Sequence, residues 1–180
     1  MKLMYSTVIL MVIIFTGFIM FSKDQSYHPS EGEQLVNSLL PKAAGIIQDK
    51  YKIRPCGVGV SMPGGPIQKV ALCFDTSYPY SKEKLRELLI NSAHELLNQV
   101  QKNKEIQKFI KEPPFTIKNV QIIIYNHDKD GRELRDPEIS VAEISQGGLN
   151  YQTIDPQDSF KYKIDFSETY EEALKILEGS

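Results

Sequence analysis

The 180-residue chain has no tryptophan, two cysteines and three histidines. Because no histidine lies near either cysteine in the sequence, these residues make a poor zinc site and give a cysteine nucleophile no base. The chain also lacks the serine nucleophile-elbow pattern, the HExxH zinc motif and the phosphate-binding P-loop. No catalytic residue is therefore predicted.

An excess of positive charge is missing as well. After residue 22 the chain has 20 basic and 23 acidic residues, a net charge of −3. Nucleic-acid-binding domains are usually strongly basic, so no nucleic-acid partner is predicted. The hydrophobic fraction of 41% is that of a chain that folds around a core.

One long apolar run stands at the start of the chain. Residues 3–21 carry no charge, and about 19 helical residues span roughly 28 Å, the thickness of a bilayer core. Two interpretations stay open: an uncleaved anchor over residues 1–22, or a cleaved signal peptide. The small residues that a signal peptidase needs are poorly placed, which favours the anchor. A helix of the folded domain would normally show a polar face, and none is evident.

The basic residue Lys2 precedes the apolar run, and Lys23 after it is partly offset by Asp24. The positive-inside rule then favours a cytoplasmic N-terminus and a domain outside the cytoplasm. We expect residues 23–29 to form a tether and residues 30–180 a single domain. Cleavage of the segment would make the protein secreted or periplasmic.

Hydrophobic periodicity predicts an α+β domain with the order α-β-β-α-β-β-β-β-α. Helices are expected from Ser30, where Pro41 should kink or split the helix, from Ser81, and from Thr169. A hairpin should centre on Gly64-Gly65. The last strand should bury one side (Phe160, Tyr162, Ile164, Phe166) and expose the other (Lys161, Lys163, Asp165). The expected fold is a largely antiparallel sheet with helices over one face.

The two cysteines lie at equal distances from the centre of that hairpin. Cys56 and Cys73 would therefore face each other across the two strands, at a spacing that a disulfide can bridge after modest adjustment. An oxidising compartment would favour the bond. The alternative is two free cysteines.

A polar segment has the spacing of half a calcium loop. Asn126, Asp128 and Asp130 occupy positions one, three and five, with Gly131 at position six. Position twelve should be glutamate and is Pro137, and the flanking segments look like strands. A polar hairpin loop with a left-handed turn at the glycine is the alternative interpretation.

Three short blocks resemble a group of small exported proteins of unknown function from host-associated bacteria. They are Phe115-Thr-Ile-Lys-Asn119, Asp136-Pro-Glu-Ile-Ser140 and Tyr170-Glu-Glu-Ala-Leu174, taken with the helix around residues 85–100. The resemblance covers residues 54–177 and implies an exported α+β domain. That group has no assigned activity, so the resemblance adds no site residue.

These observations favour a non-enzymatic, membrane-anchored domain that acts through contact with a protein or peptide. One alternative is an exported domain that binds a small ligand or calcium through Asn126, Asp128 and Asp130. Another is an exported hydrolase of unrecognised type, for which His94 beside a carboxylate in a pocket would be the expected sign. No cofactor is predicted apart from calcium in that alternative.

Overall fold

The structure, a computed structural model, describes residues 27–155 and 157–179. The predicted membrane segment lies outside the described residues. The elements, in chain order, are α1 (Glu31–Tyr51), β1 (Arg54–Ser61), β2 (Lys69–Asp75), α2 (Lys82–Lys102), α3 (Lys104–Gln107), a 3₁₀ turn (Ile117–Asn119), β3 (Val120–Tyr125), β4 (Val141–Ser145), β5 (Gly148–Asp155), β6 (Asp158–Thr169) and α4 (Tyr170–Glu178). The predicted order of the main elements is confirmed; the short helix α3 is additional.

The helix starts follow from their capping residues. At α1 the Glu33 amide donates to Ser30 Oγ at 3.3 Å, and the Ser30 amide donates to Glu33 Oε2 at 2.7 Å. Thr169 and Glu172 form the same reciprocal pair before α4. Each capping box satisfies two backbone donors that would otherwise lack a partner, so the sequence fixes where these helices begin.

Of the kink or split predicted at Pro41, the split is wrong, because α1 runs without interruption to Tyr51, and the kink stays a prediction. Pro41 has no N–H to donate to the carbonyl of Asn37. Both residues are exposed, so water can satisfy that carbonyl. The opposite side of α1 buries Val36, Leu40 and Ile47 in the core, which stabilises the helix despite the missing bond.

The six strands form one sheet in the order β1-β2-β3-β4-β5-β6. Strands β2 and β3 are parallel, because α2 carries the chain back between them, and the other four pairs are antiparallel. The largely antiparallel prediction is confirmed. Because neighbours in sequence are neighbours in the sheet, β1 and β6 form its two edges.

The core lies between the helices and one face of the sheet. Alternate residues of the central strands, such as Leu72, Ile122 and Ile144, are fully buried there with Leu85 and Leu89 of α2. The other face carries mostly partly exposed side chains, both polar and apolar, among them Cys73, Ile123 and Glu143. No helix in the described residues is both long and apolar enough to cross a membrane.

Candidate functional site

The side-chain amide of Asn126, the first predicted calcium ligand, makes four hydrogen bonds within the protein. Its Oδ1 accepts hydrogen bonds from Thr76 Oγ1 at 3.2 Å and from the Tyr80 amide at 2.9 Å. Its Nδ2 donates to the carbonyls of Tyr80 at 3.1 Å and Ile139 at 2.8 Å. The residue is only 1% exposed. Asn126 therefore joins the loop before α2 to the loop before β4.

The other two predicted ligands form a tight turn. Asp128 Oδ1 accepts from the amides of Asp130 at 2.8 Å and Arg132 at 2.9 Å, and these hydrogen bonds lower the pKa of Asp128. Gly131 has a φ of +76°, the left-handed geometry of the alternative interpretation. Across residues 27–155 and 157–179, no three His, Cys, Asp or Glu side chains are grouped to hold a metal. Calcium binding stays a prediction that this arrangement does not support.

The predicted pairing of the cysteines is wrong by one residue. The predicted centre between Gly64 and Gly65 is off by half a residue, because the hairpin is centred on Gly65, and Gly57 therefore lies opposite Cys73. Cys56 is the extra residue in a bulge between Pro55 and Gly57. Both cysteines are free thiols in the structure, so the predicted disulfide is absent.

The environment of Cys56 keeps its thiol protonated. The residue retains an exposed surface, yet partial removal of its sulfur from water raises the pKa of Cys56 to about 12. The nearby Asp75 and Cys73 add to this shift. A thiol with a raised pKa is a poor nucleophile at neutral pH, so this pair does not form a reactive thiol site.

His94 packs against an aromatic residue. Its Nε2 is hydrogen-bonded to the hydroxyl of Tyr170, and the two rings meet edge to face with centroids 5.7 Å apart. This contact joins α2 to the start of α4. The structure thus brings His94 to a phenol, whereas the predicted sign of a hydrolase was a carboxylate.

A buried polar network that the sequence analysis missed links α2 to the last two strands. Arg86 Nε donates to Glu168 Oε1 at 2.8 Å, and the Tyr151 hydroxyl donates to the same oxygen at 2.6 Å. The side chains of Arg86 and Glu168 are 6% and 4% exposed. The hydrogen bond with Glu168 raises the pKa of Arg86, whereas burial is the largest cause that raises the pKa of Tyr151. These hydrogen bonds connect β6 to α2.

On the edge strand β6, the apolar side chains of Tyr162, Ile164 and Phe166 are not buried as predicted, and the side chain of Phe160 lies outside the described residues. Phe166 is opposite Tyr151, whereas Ile164 is opposite Gln152, because the register shifts between these pairs. The shift turns the two apolar side chains to different faces of the sheet. Ile164 is 57% exposed and Phe166 is 39% exposed, with Lys82 Nζ lying 4.1 Å from the centre of the Phe166 ring. This edge is protected against pairing with another strand by two register shifts and by the charges of Lys161 and Lys163.

The opposite edge, β1, lacks that protection over residues 57–61. This segment reads Gly-Val-Gly-Val-Ser and has no charge and no proline. Val58 and Val60 are 51% and 39% exposed. They pair with Leu72 and Val70 of β2, so they lie on the helical face of the sheet at its rim. The β1 edge, residues 57–61, is therefore an apolar strand with one unpaired side in the described structure.

Comparison with known protein families, with curated proteins and with solved structures found no match. The candidate site accordingly rests on geometry alone. Of the features described, the β1 edge is the one that a folded protein normally protects and that no strand among residues 27–155 and 157–179 covers. The sequence signal for it was weak, because the position of a strand within its sheet cannot be read from the strand itself.

Proposed function

We propose that this protein is a membrane-tethered, non-enzymatic interaction domain whose β1 edge pairs with an extended segment of a partner protein. The observation that carries the proposal is the uncharged β1 edge with its exposed Val58 and Val60. Strand addition uses the free backbone groups of such an edge for affinity and alternate side-chain contacts for specificity.

The two sides of β1 suit this mode of binding. On the helical face, Val58 and Val60 offer apolar contact to every second residue of an added strand. On the other face, glycines at positions 57 and 59 leave the partner's side chains free space above the sheet. A Cβ atom placed on either glycine would be no closer than 3.5 Å to its neighbour, so close packing is not what requires glycine there.

The tether in this proposal is the uncharged segment 3–21 of the sequence. With the positive-inside preference described above, it would hold the domain at the outer surface of the membrane. A domain held there meets partners in two dimensions, which raises their effective concentration and favours even a weak edge contact.

The test is photo-crosslinking in native membranes. The full-length chain carries a benzoylphenylalanine at Val60, and the adducts are identified by mass spectrometry. Val58→Lys adds an edge charge that opposes strand pairing, and Ile164→Lys adds the same charge at the similarly exposed position on β6. We expect one dominant crosslinked adduct. It should be lost when the chain also carries Val58→Lys and kept when the chain carries Ile164→Lys. The same adduct should form when the purified partner is mixed with the purified chain.

An adduct that survives Val58→Lys, or no adduct at all, would contradict edge binding. A crosslink from residue 60 to residues 1–26 of the same molecule would show that the chain covers its own edge, which also contradicts the proposal. Turnover on a substrate panel that disappears on changing one polar side chain would refute the non-enzymatic part.

A further inference from the structure

A polar cleft of about 310 Å³ lies at the end of the domain that holds the β1–β2 turn. Three lysines from separate segments line it: Lys69 of β2, Lys111 after α3, and Lys118 of the 3₁₀ turn. The acidic residue in the lining is Glu112, and Gln146 of the β4–β5 turn adds an amide. Three basic residues and one acidic residue thus line the same cleft.

Backbone hydrogen bonds hold the Lys111 segment in place. The Lys111 amide donates to the Ile67 carbonyl at 3.0 Å, and the Ile67 amide donates to the Phe109 carbonyl at 2.7 Å. Lys69 is fixed by the strand itself, and its Nζ donates to Ser145 Oγ at 3.3 Å. The backbone of both lysines is therefore held in place at the cleft.

Lys118 is positioned by its neighbours. Asn119 Nδ2 donates to the Gln68 carbonyl at 2.9 Å, and Asn119 Oδ1 accepts from the Thr116 amide at 2.9 Å. The stem of Lys118 lies against Gly147, where a Cβ atom would be 3.5 Å from Lys118 Cγ. A glycine suits that turn position, because its φ is +80°.

The charge of the cleft is opposite to that of the molecule. Over the whole sequence the formal net charge is −2. Within the described residues, none of the three cleft lysines forms an ion pair with a carboxylate, whereas Lys50, Lys84, Lys108 and Lys163 do. Unpaired cations that converge on a concave polar surface concentrate positive potential there and attract an anion.

We propose that this cleft binds a phosphate-bearing anion. A phosphate group offers several acceptor oxygens and enough negative charge to balance three ammonium groups against one carboxylate. Lysine binds phosphate as a point charge and needs no planar pairing geometry, so three lysines from three directions suit a tetrahedral oxygen set.

The position of the cleft indicates how the anion could reach it. Lys111 also lines a neighbouring groove together with Ser30, the residue that caps α1. The cleft thus lies near Ser30, close to the point where the described residues begin. If segment 3–21 spans the bilayer, the five residues 22–26 reach at most roughly 17 Å, so lipid headgroups would lie nearby. This choice of source rests on the proposed tether; the cleft itself does not.

The test uses the full-length chain in nanodiscs of neutral phosphatidylcholine. Isothermal titration calorimetry measures binding of inorganic phosphate, with acetate at equal ionic strength as the reference anion. A second arm replaces part of the lipid by phosphatidylglycerol, and hydrogen exchange is followed over residues 67–71 and 110–119. Protection only with phosphatidylglycerol would identify a lipid headgroup as the source, whereas phosphate binding without such protection would identify a soluble anion.

The decisive variant combines Lys69→Gln, Lys111→Gln and Lys118→Gln. We expect it to weaken phosphate binding by at least about tenfold, because each lost ammonium removes a charge-assisted hydrogen bond.

The matched control combines Lys42→Gln, Lys129→Gln and Lys175→Gln, which removes the same charge from exposed positions elsewhere. Because salt screens distant charges, it should change affinity by no more than about twofold. The proposal is overturned if both triple variants bind phosphate equally. It is also overturned if the unmodified protein shows neither phosphate binding at millimolar concentration nor phosphatidylglycerol-dependent protection. Either failure leaves the proposed edge contact, which is tested by crosslinking, unaffected.

Discussion

Removing Arg86 alone should be among the most damaging single changes in the domain. Arg86→Leu leaves Glu168 as a buried carboxylate that keeps a hydrogen bond from Tyr151 but has lost its cation. The second oxygen, Glu168 Oε2, is buried and already has no hydrogen-bond partner among the described residues. The variant therefore places a charge in the interior with one donor to compensate it.

The expected cost follows from the burial of the pair. Breaking a buried ion pair by removing one partner typically costs about 3–5 kcal/mol, because the remaining charge stays desolvated. Replacing both partners by apolar residues of similar volume is often close to neutral. We expect Arg86→Leu to lower the free energy of unfolding by about 3–5 kcal/mol, and Arg86→Leu with Glu168→Leu to recover most of that loss.

Urea denaturation at pH 7, followed by circular dichroism, measures these differences. The control is the exposed pair of Lys84 and Glu87, whose side chains are 44% and 42% exposed. Removing Lys84 should cost no more than about 0.5 kcal/mol. Should Arg86→Leu fail to fold, Glu168→Gln retains the shape of the side chain and still reports the loss of charge. A cost below about 1 kcal/mol for Arg86→Leu would refute the reasoning, since it would mean that the pair is solvated.

Three further outcomes are expected. Asn126→Ala should lower the free energy of unfolding by about 2–4 kcal/mol, because it leaves four hydrogen-bonding groups without their partner; urea denaturation showing less than about 1 kcal/mol would contradict this. With a pKa of about 12, Cys56 should carry on the order of a thousandfold less thiolate at pH 8 than an ordinary cysteine and be alkylated slowly by iodoacetamide; a rate like that of glutathione would contradict it. The hydrogen bond from Lys50 lowers the pKa of Glu95 in the folded state, so the stability it adds is present above about pH 4.3 and lost as the pH falls through the folded pKa. Glu95→Gln should weaken the fall in stability between pH 6 and pH 3, and an unchanged pH profile would contradict this.

The sequence predicted the elements of this fold well, because their signals are local. The capping boxes at Ser30 and Thr169 fixed two helix starts, and Gly64-Gly65 marked the hairpin turn. The short helix α3 also begins at a local signal, the side chain of Asn103, which accepts from the amides of Glu105 and Ile106. Each of these signals involves residues within a few positions of one another.

The errors arose where contacts between distant residues decide the structure. The hairpin is centred on Gly65 alone, as the pairing of Val60 with Val70 shows, and this moves Gly57 opposite Cys73. Nothing in the hairpin sequence reveals this one-residue offset or the bulge that follows at Cys56. The register shift in β6 likewise separated Ile164 from Phe166, although their spacing is that of one strand face.

The candidate site could not be predicted from the sequence for the same reason. The β1 edge exists only because the strand order leaves β1 at one end of the sheet. The cleft depends on three lysines that lie up to 49 positions apart, from Lys69 to Lys118. The buried pair of Arg86 and Glu168 spans 82 positions.

The central claim, a domain tethered outside the cytoplasm, is tested most directly by the location and topology of the full-length protein in its own cells. The chain should stay with the membrane fraction after alkaline carbonate extraction, and protease added to intact cells should digest residues 27–180. Recovery of the full-length chain from the soluble cytoplasmic fraction, protected from external protease, would contradict the account.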